Sequence, residues 1–133
     1  MPPPAIERWK AIAKSRDMAG LDALLADDVV FTSPVVRTPQ RGKPITLKYL
    51  TAALAVLGGD AFRYGEEWIG ESSAVLEFFT IIDGVKINGA DFIGWNAAGE
   101  IESFKVMVRP LKAIQAIHQA MGARLAGGAG SAG

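Results

Sequence analysis

A chain of 133 residues, 50% hydrophobic and 21% charged, holds about one domain with enough apolar side chains for a core, which excludes disorder of the body and argues against a second domain. Lys plus Arg number 14 and Asp plus Glu number 14, so the chain has no basic footprint for nucleic acid and no partner of that class is expected. With no cysteine and a single histidine, His118, disulfides, thiolate chemistry and histidine clusters are excluded. No metal site is expected, and any chemistry falls to carboxylates, hydroxyls, Lys/Arg and aromatics.

Residues 1–6 are Pro-rich and lack the apolar stretch of a signal peptide. No apolar run approaches the roughly 18 residues of a membrane span. A cytoplasmic protein without membrane contact is therefore expected. Residues 5–14 predict a helix with Ile6, Trp9, Ile12 and Ala13 on one stripe. Residues 18–26 predict a second, with Met18, Leu21, Leu24 and Leu25 inward. Val29, Val30 and Phe31 then form a short strand that Pro34 ends. Residues 35–42 form a loop. Pro44 opens a third helix to about Leu57; apolar on two sides, it is expected to be largely buried, and Gly58-Gly59 stops it.

The second half changes period. Residues 61–69, 74–82, 85–95 and 100–108 read as strands, with Asp83-Gly84 as a tight turn and residues 96–99 as a hairpin loop. Arg109-Pro110 leads into a last helix with the stripe Leu111, Ile114, Ile117, Met121 and Leu125. Residues 127–133 hold only Gly, Ala and Ser and are expected to be a flexible tail behind a domain of residues 1–126. Helices, then a meander, then a helix indicate an α+β fold with helices on one face of a curved sheet. The strand of residues 74–82 is apolar on both faces. Its outer face, with Phe79, Ile81, Phe92 and Met107, is expected to be a homodimer interface rather than scattered surface hydrophobes. Neither Gly58-Gly59 nor Gly127-Gly128 follows a strand and opens a helix, so no phosphate loop and no cofactor is expected.

Several motifs in this order carry a resemblance. They are Leu21-Asp22-Ala23-Leu24-Leu25-Ala26-Asp27-Asp28-Val29-Val30-Phe31, Ser33-Pro34, Gly42 before the third helix, Gly89-Ala90-Asp91-Phe92-Ile93 and Asn96-Ala97-Ala98-Gly99-Glu100-Ile101. Over about residues 7–111 the chain resembles the NTF2-like superfamily, in its SnoaL-like and ketosteroid-isomerase-like branch. The resemblance implies a cone: a curved, mostly antiparallel sheet wrapped over N-terminal helices around an apolar pocket. The superfamily holds isomerases, polyketide cyclases, dehydratases and epoxide hydrolases beside non-catalytic binding and dimerisation modules, so the fold does not select a function.

Ketosteroid isomerases use a carboxylate base, a tyrosine donor and an aspartic acid kept neutral by an apolar site. On this resemblance the aspartic acid falls at Asp91, the base at Ser33, the tyrosine at Trp9 and a supporting tyrosine at Leu50, next to Tyr49. Isomerisation by that mechanism is therefore not expected. The Asp–Arg–Asp positions of limonene-epoxide-hydrolase-like members fall at Phe78, Thr80 and Val106. The last strand carries Glu102 and Lys105 but no cyclase-type aspartate.

Alternation gives an inner surface of Trp9, Phe31, Ser33, Leu50, Leu54, Leu76, Phe78, Thr80, Asp91, Ile93, Phe104, Val106 and Val108, with Asp91 its one ionisable group. Lost hydration raises the pKa of such a carboxyl. It can then donate a hydrogen bond or serve as a general acid or base, which makes Asp91 the candidate catalytic residue. The alternative is a structural aspartate bonded to backbone N–H groups or to Trp9. Trp9 reads as a donor or a core aromatic, Ser33 as a positioning hydroxyl or a strand end, and Tyr49 and Tyr64 as further hydroxyls whose facing is open. Arg109 fixes the turn or clamps a carboxylate. His118 reads as surface, and Asp27-Asp28 and Glu66-Glu67 as solvated charges. The expected function is binding of a small hydrophobic molecule, with isomerase, cyclase or dehydratase activity on a carbonyl-bearing or polycyclic substrate; a non-catalytic binding or dimerisation module is the alternative.

Overall fold

The computed structural model describes residues 3–128. Its elements run α1 (Pro4–Ser15), α2 (Met18–Leu24), β1 (Leu25–Thr32), β2 (Gln40–Arg41), α3 (Lys43–Leu57), β3 (Arg63–Ile69), β4 (Ser73–Ile82), β5 (Val85–Trp95), β6 (Ile101–Arg109) and α4 (Leu111–Gly128). Helix α1 starts on a proline, whose missing N–H is no loss there. It ends at Arg16, which takes the left-handed conformation at φ 63°. Asp17 caps α2 by accepting the Gly20 N–H at 3.0 Å.

One mixed sheet takes the order β2-β1-β6-β5-β4-β3. All neighbours are antiparallel except β1 and β6, where Phe31 faces Phe104 in a parallel pair. Asp83 and Gly84 both have positive φ, 48° and 80°, as a two-residue hairpin turn between Ile82 and Val85 requires. Register shifts interrupt the β1/β6, β3/β4 and β5/β6 pairings and bend the strands. The helices cover one face. Ile6, Trp9, Leu21, Leu24, Leu50, Leu76, Phe78, Ile93, Phe104 and Ile117 form the core between them and the sheet. This is the expected α+β cone, with an open six-stranded sheet.

The helix expected over residues 18–26 stops at Leu24. Leu25 and Ala26 belong to β1 because Leu25 pairs with Ile101 across the parallel ladder. The loop of residues 35–42 contains the short strand β2, which faces Val30 and Phe31. Helix α3 is less buried than expected: only Thr46, Leu50 and Ala52 are fully covered. In α4 the expected stripe is displaced. Ala113 and Ile117 are buried, whereas Leu111 is 69% exposed. Gly127 and Gly128 close α4 instead of starting a tail; residues 129–133 of that expected tail lie outside the described residues. No described helix is long and apolar enough to cross a membrane. On the outer sheet face Trp68, Ile81 and Met107 are about half exposed. Arg63 lies 4.2 Å over the Phe79 ring and Lys105 5.2 Å over the Phe92 ring.

Candidate functional site

Strand β5 alternates strictly, and its inward positions are Ile87, Gly89, Asp91 and Ile93. Asp91 thereby stands between Leu76 of β4 and Val106 of β6, and is 6% exposed. Tyr64 enters from β3, two strands away, at the start of the β3/β4 register shift. Its hydroxyl donates to Asp91 Oδ2 at 2.9 Å. Trp9, on the buried stripe of α1, donates its indole N–H to the same hydroxyl oxygen at 2.8 Å. Aromatic rings hold the three in place. Trp9 meets Phe104 edge-on at 4.8 Å, and Phe62 meets Tyr64 edge-on at 5.1 Å while stacking on Phe78 at 5.5 Å.

The direction of this chain is fixed by chemistry. An indole N–H only donates, so the Tyr64 oxygen accepts from it and the single phenolic proton is left for Asp91. Oδ2 is thus always an acceptor, and a proton on Asp91 sits on Oδ1. Among the described residues Oδ1 has no protein partner, and the one fully sealed side-chain polar atom without a partner is Thr46 Oγ1. Oδ1 therefore opens onto space. Burial pushes the Asp91 pKa up to about 7, against the opposing pull of the Tyr64 hydrogen bond. Burial first, and the Asp91 charge second, hold the Tyr64 pKa well above its ordinary value. Near neutral pH Tyr64 is a fixed donor and Asp91 is divided between its two forms.

The space in front of Oδ1 is a chamber of about 40 Å³, walled by Trp9, Ala13, Leu50, Ala53, Leu54, Leu57, Gly58, Phe62, Tyr64, Phe78, Phe104 and Val106. That is room for roughly one to three waters, well under the ~300–1,000 Å³ of a pocket for a drug-sized ligand. The single wide pocket expected from the sequence is thus divided. Ala53, Leu57 and Val106 separate the chamber from an apolar cleft of about 210 Å³ that holds Phe31, Ser33, Tyr49, Ile117, His118 and Met121. On the other side Ala13, Gly58, Phe62 and Tyr64 are shared with a groove of about 590 Å³ that also takes in Lys10, Lys14, Arg16, Asp60 and Arg63.

Of the expected pocket residues, Trp9, Leu50, Leu54, Phe78, Phe104 and Val106 surround Asp91. Phe31 and Ser33 belong to the cleft instead. The Ser33 hydroxyl accepts the N–H groups of Val35 and Val36 at 3.0 and 3.3 Å, which shapes the loop. Leu76, Ile93, Thr80 and Val108 border neither space. Leu76 and Ile93 are packed core, Val108 leans on it, and Thr80 donates to the Leu57 carbonyl at 2.9 Å, tying β4 to the end of α3. Tyr49 stacks on Phe31 at 5.8 Å, away from Asp91. Arg109 reaches Asn88 at 3.4 Å and, among the described residues, clamps no carboxylate. Phe62, Leu57 and Gly58 are walls that the sequence reading missed. The alternation of Phe62 with Tyr64 was the signal for the first. No cluster of three or more potential metal ligands occurs among the described residues.

No family model matches the chain, and no curated protein matches it. Solved structures do. The chain is similar to a steroid delta-isomerase from Pseudomonas aeruginosa, with 34% identity and a TM-score of 0.89 over 96% of this chain and 93% of that one. It is similar to an uncharacterised bacterial protein with a cystatin-like fold from Silicibacter pomeroyi DSS-3, with 30% identity and a TM-score of 0.84 over 92% and 85%. An NTF2-like protein of unknown function from Mesorhizobium loti shares the fold, at 19% identity and a TM-score of 0.69 over 80% and 88%.

Proposed function

The chain belongs to the ketosteroid-isomerase-like branch of the NTF2-like superfamily, and from that premise we propose that it binds a small apolar molecule whose one hydrogen-bonding oxygen or acidic C–H is met by Asp91 Oδ1. The observation that carries this reading is the one-way relay from Trp9 through Tyr64 to Asp91, ending in an oxygen that faces an apolar chamber. A half-ionised carboxyl in such a place does two jobs. Protonated, it donates to a carbonyl as negative charge develops there; ionised, it takes a proton from the carbon beside a carbonyl and returns it elsewhere. The reaction class is cofactor-independent proton transfer of the isomerase kind. Asp91 is the acid/base, Tyr64 holds it, and Trp9 sets the direction.

The identity to a steroid delta-isomerase makes a ketosteroid the first compound to try. Ser33, at the position the resemblance gives to that family's base, faces the cleft and is engaged by backbone N–H groups, so Asp91 acts without a second carboxyl. The small size of the chamber favours a second reading, a binding or dimerisation module without catalysis. A thermal-shift screen of apolar carbonyl compounds on the wild type and Asp91→Asn tests the site: ligands that stabilise only the former place it at Asp91. Deuterium uptake next to the carbonyl of a hit, followed by NMR in heavy water, separates catalyst from module. A second copy of the chain on the outer sheet face, around Phe79, Ile81, Phe92 and Met107, completes the proposal.

A further inference from the structure

The groove outside the chamber carries more positive charge than its packing requires. Lys10, Lys14, Arg16 and Arg63 line it against one acid, Asp60. Two of these cations are engaged. Lys10 pairs with Glu67, and Arg63 lies over Phe79 on the far side of the sheet. Among the described residues neither Lys14 nor Arg16 has an ion-pair partner. Arg16 stands in a left-handed position where glycine is the usual helix cap, fixed by its N–H to the Ile12 carbonyl at 2.7 Å. Its guanidinium lies across Gly58, where a Cβ would run into it. Gly58 in turn is a wall shared by groove and chamber, as is Tyr64, whose hydroxyl touches Asp91. Charge and chamber thus adjoin through the same two residues.

We propose that the groove is the anion end of the ligand site, so that the ligand is an amphipathic organic acid. Its apolar body lies in the groove along Ala13, Phe62 and Tyr64, with only a small terminal group reaching the chamber toward Asp91, and its carboxylate, sulfonate or phosphate rests on Lys14 and Arg16. The inference rests on the pocket reading above and names its substrate class. The division of labour is physically economical. The apolar body supplies affinity by leaving water, while the anion keeps part of its hydration and meets cations without the full desolvation penalty of a buried pair. A cationic mouth also raises the local concentration of anions and speeds their capture.

The test uses two fluorescent dyes that differ in one group: anilinonaphthalene sulfonate and its uncharged parent, phenylnaphthylamine. The wild type binds the sulfonate more tightly than the parent. That preference falls about fivefold in Lys14→Gln/Arg16→Gln, and falls with added salt, as expected of partly exposed charges, while affinity for the parent is unchanged. Lys14→Gln alone, on the exposed side of α1, moves the preference in the same direction without touching the contact between Arg16 and Gly58. A preference that is the same in wild type and both variants overturns the anion site and leaves the pocket standing. Ala13→Trp, which fills the wall shared by groove and chamber, abolishes binding of the parent; intact binding of the parent there overturns the pocket reading, and this inference with it.

Discussion

Phe78 lays its ring across Gly89, the residue it faces on β5. A side chain at Gly89 would meet that ring and, at 2.9 Å, the Met107 carbonyl behind it. The carbonyl is fixed by the β5/β6 ladder, so only Phe78 can yield, and it yields toward the chamber it helps to wall. Gly89→Ala is expected to destabilise the fold by about 1–3 kcal/mol, the usual result of overpacking, and to weaken ligand binding by pushing the ring inward. Urea unfolding and the thermal-shift screen on the same variant measure both. A variant as stable as the wild type means that the ring and the glycine are not in register.

Asp91 links this packing to pH. The folded chain holds its proton up to about pH 7, whereas an ordinary aspartate releases it near 3.8. Between those values the folded state binds more protons than the unfolded one, so stability is greatest at the acid end and falls as pH rises, levelling off above about 7. The gap converts to a loss on the order of 4 kcal/mol. Asp91→Asn removes this contribution, so over that interval its urea midpoint falls less with pH than the wild type's. Carbon NMR of the Asp91 carboxyl gives the midpoint directly, and a titration near pH 4 sinks both the burial argument and the acid/base role.

Tyr64 is the one neighbour that pulls the Asp91 pKa down, by donating to the charged form. Tyr64→Phe therefore moves the Asp91 titration further above 7. The same change strips the acceptor from the Trp9 N–H, in a residue only 3% exposed, at about 1–3 kcal/mol for an unsatisfied buried donor. Trp9→Phe removes that donor, so the double variant is less destabilised than the sum of the two single changes. Additive stabilities, or an Asp91 midpoint that stays put in Tyr64→Phe, rule out the relay.

The relay also marks where sequence patterning runs out. Strict alternation in β4 and β5 placed Leu76, Phe78 and Asp91 inward without any structure, because a sheet with one covered face enforces period two along each uninterrupted strand. Tyr64 was visible as a hydroxyl but its facing was not, since the register shift between Tyr64 and Glu67 breaks the count along β3. Leu25 read as helix because its local pattern is helical; its partner, Ile101, lies far along the chain, and only the parallel pairing makes it a strand. The division of the pocket was equally hidden. It depends on how α3 rolls against β6, which brings Ala53, Leu57 and Val106 together as a partition, and helix roll is set by packing rather than by local sequence.

The outer face yields the last prediction. Trp68, Ile81 and Met107 are about half exposed, and Phe79 and Phe92 lie beside them under the Arg63 and Lys105 side chains. The same face carries Arg63, Glu77, Lys86 and Asn88 among them, a mixed apolar and polar surface of the composition that non-obligate interfaces have. Two copies related by a twofold axis bury it most simply, each presenting the same residues to the other. Sedimentation of the wild type is expected to give a dimer, and Ile81→Lys, which puts a cation in place of a half-exposed apolar side chain of that face, a folded monomer. The relay lies on the opposite face, so the monomer keeps the ligand stabilisation seen with the wild type. A monomeric wild type ends the second-copy reading, and loss of ligand stabilisation in a folded Ile81→Lys monomer would mean that the two faces are coupled through β4.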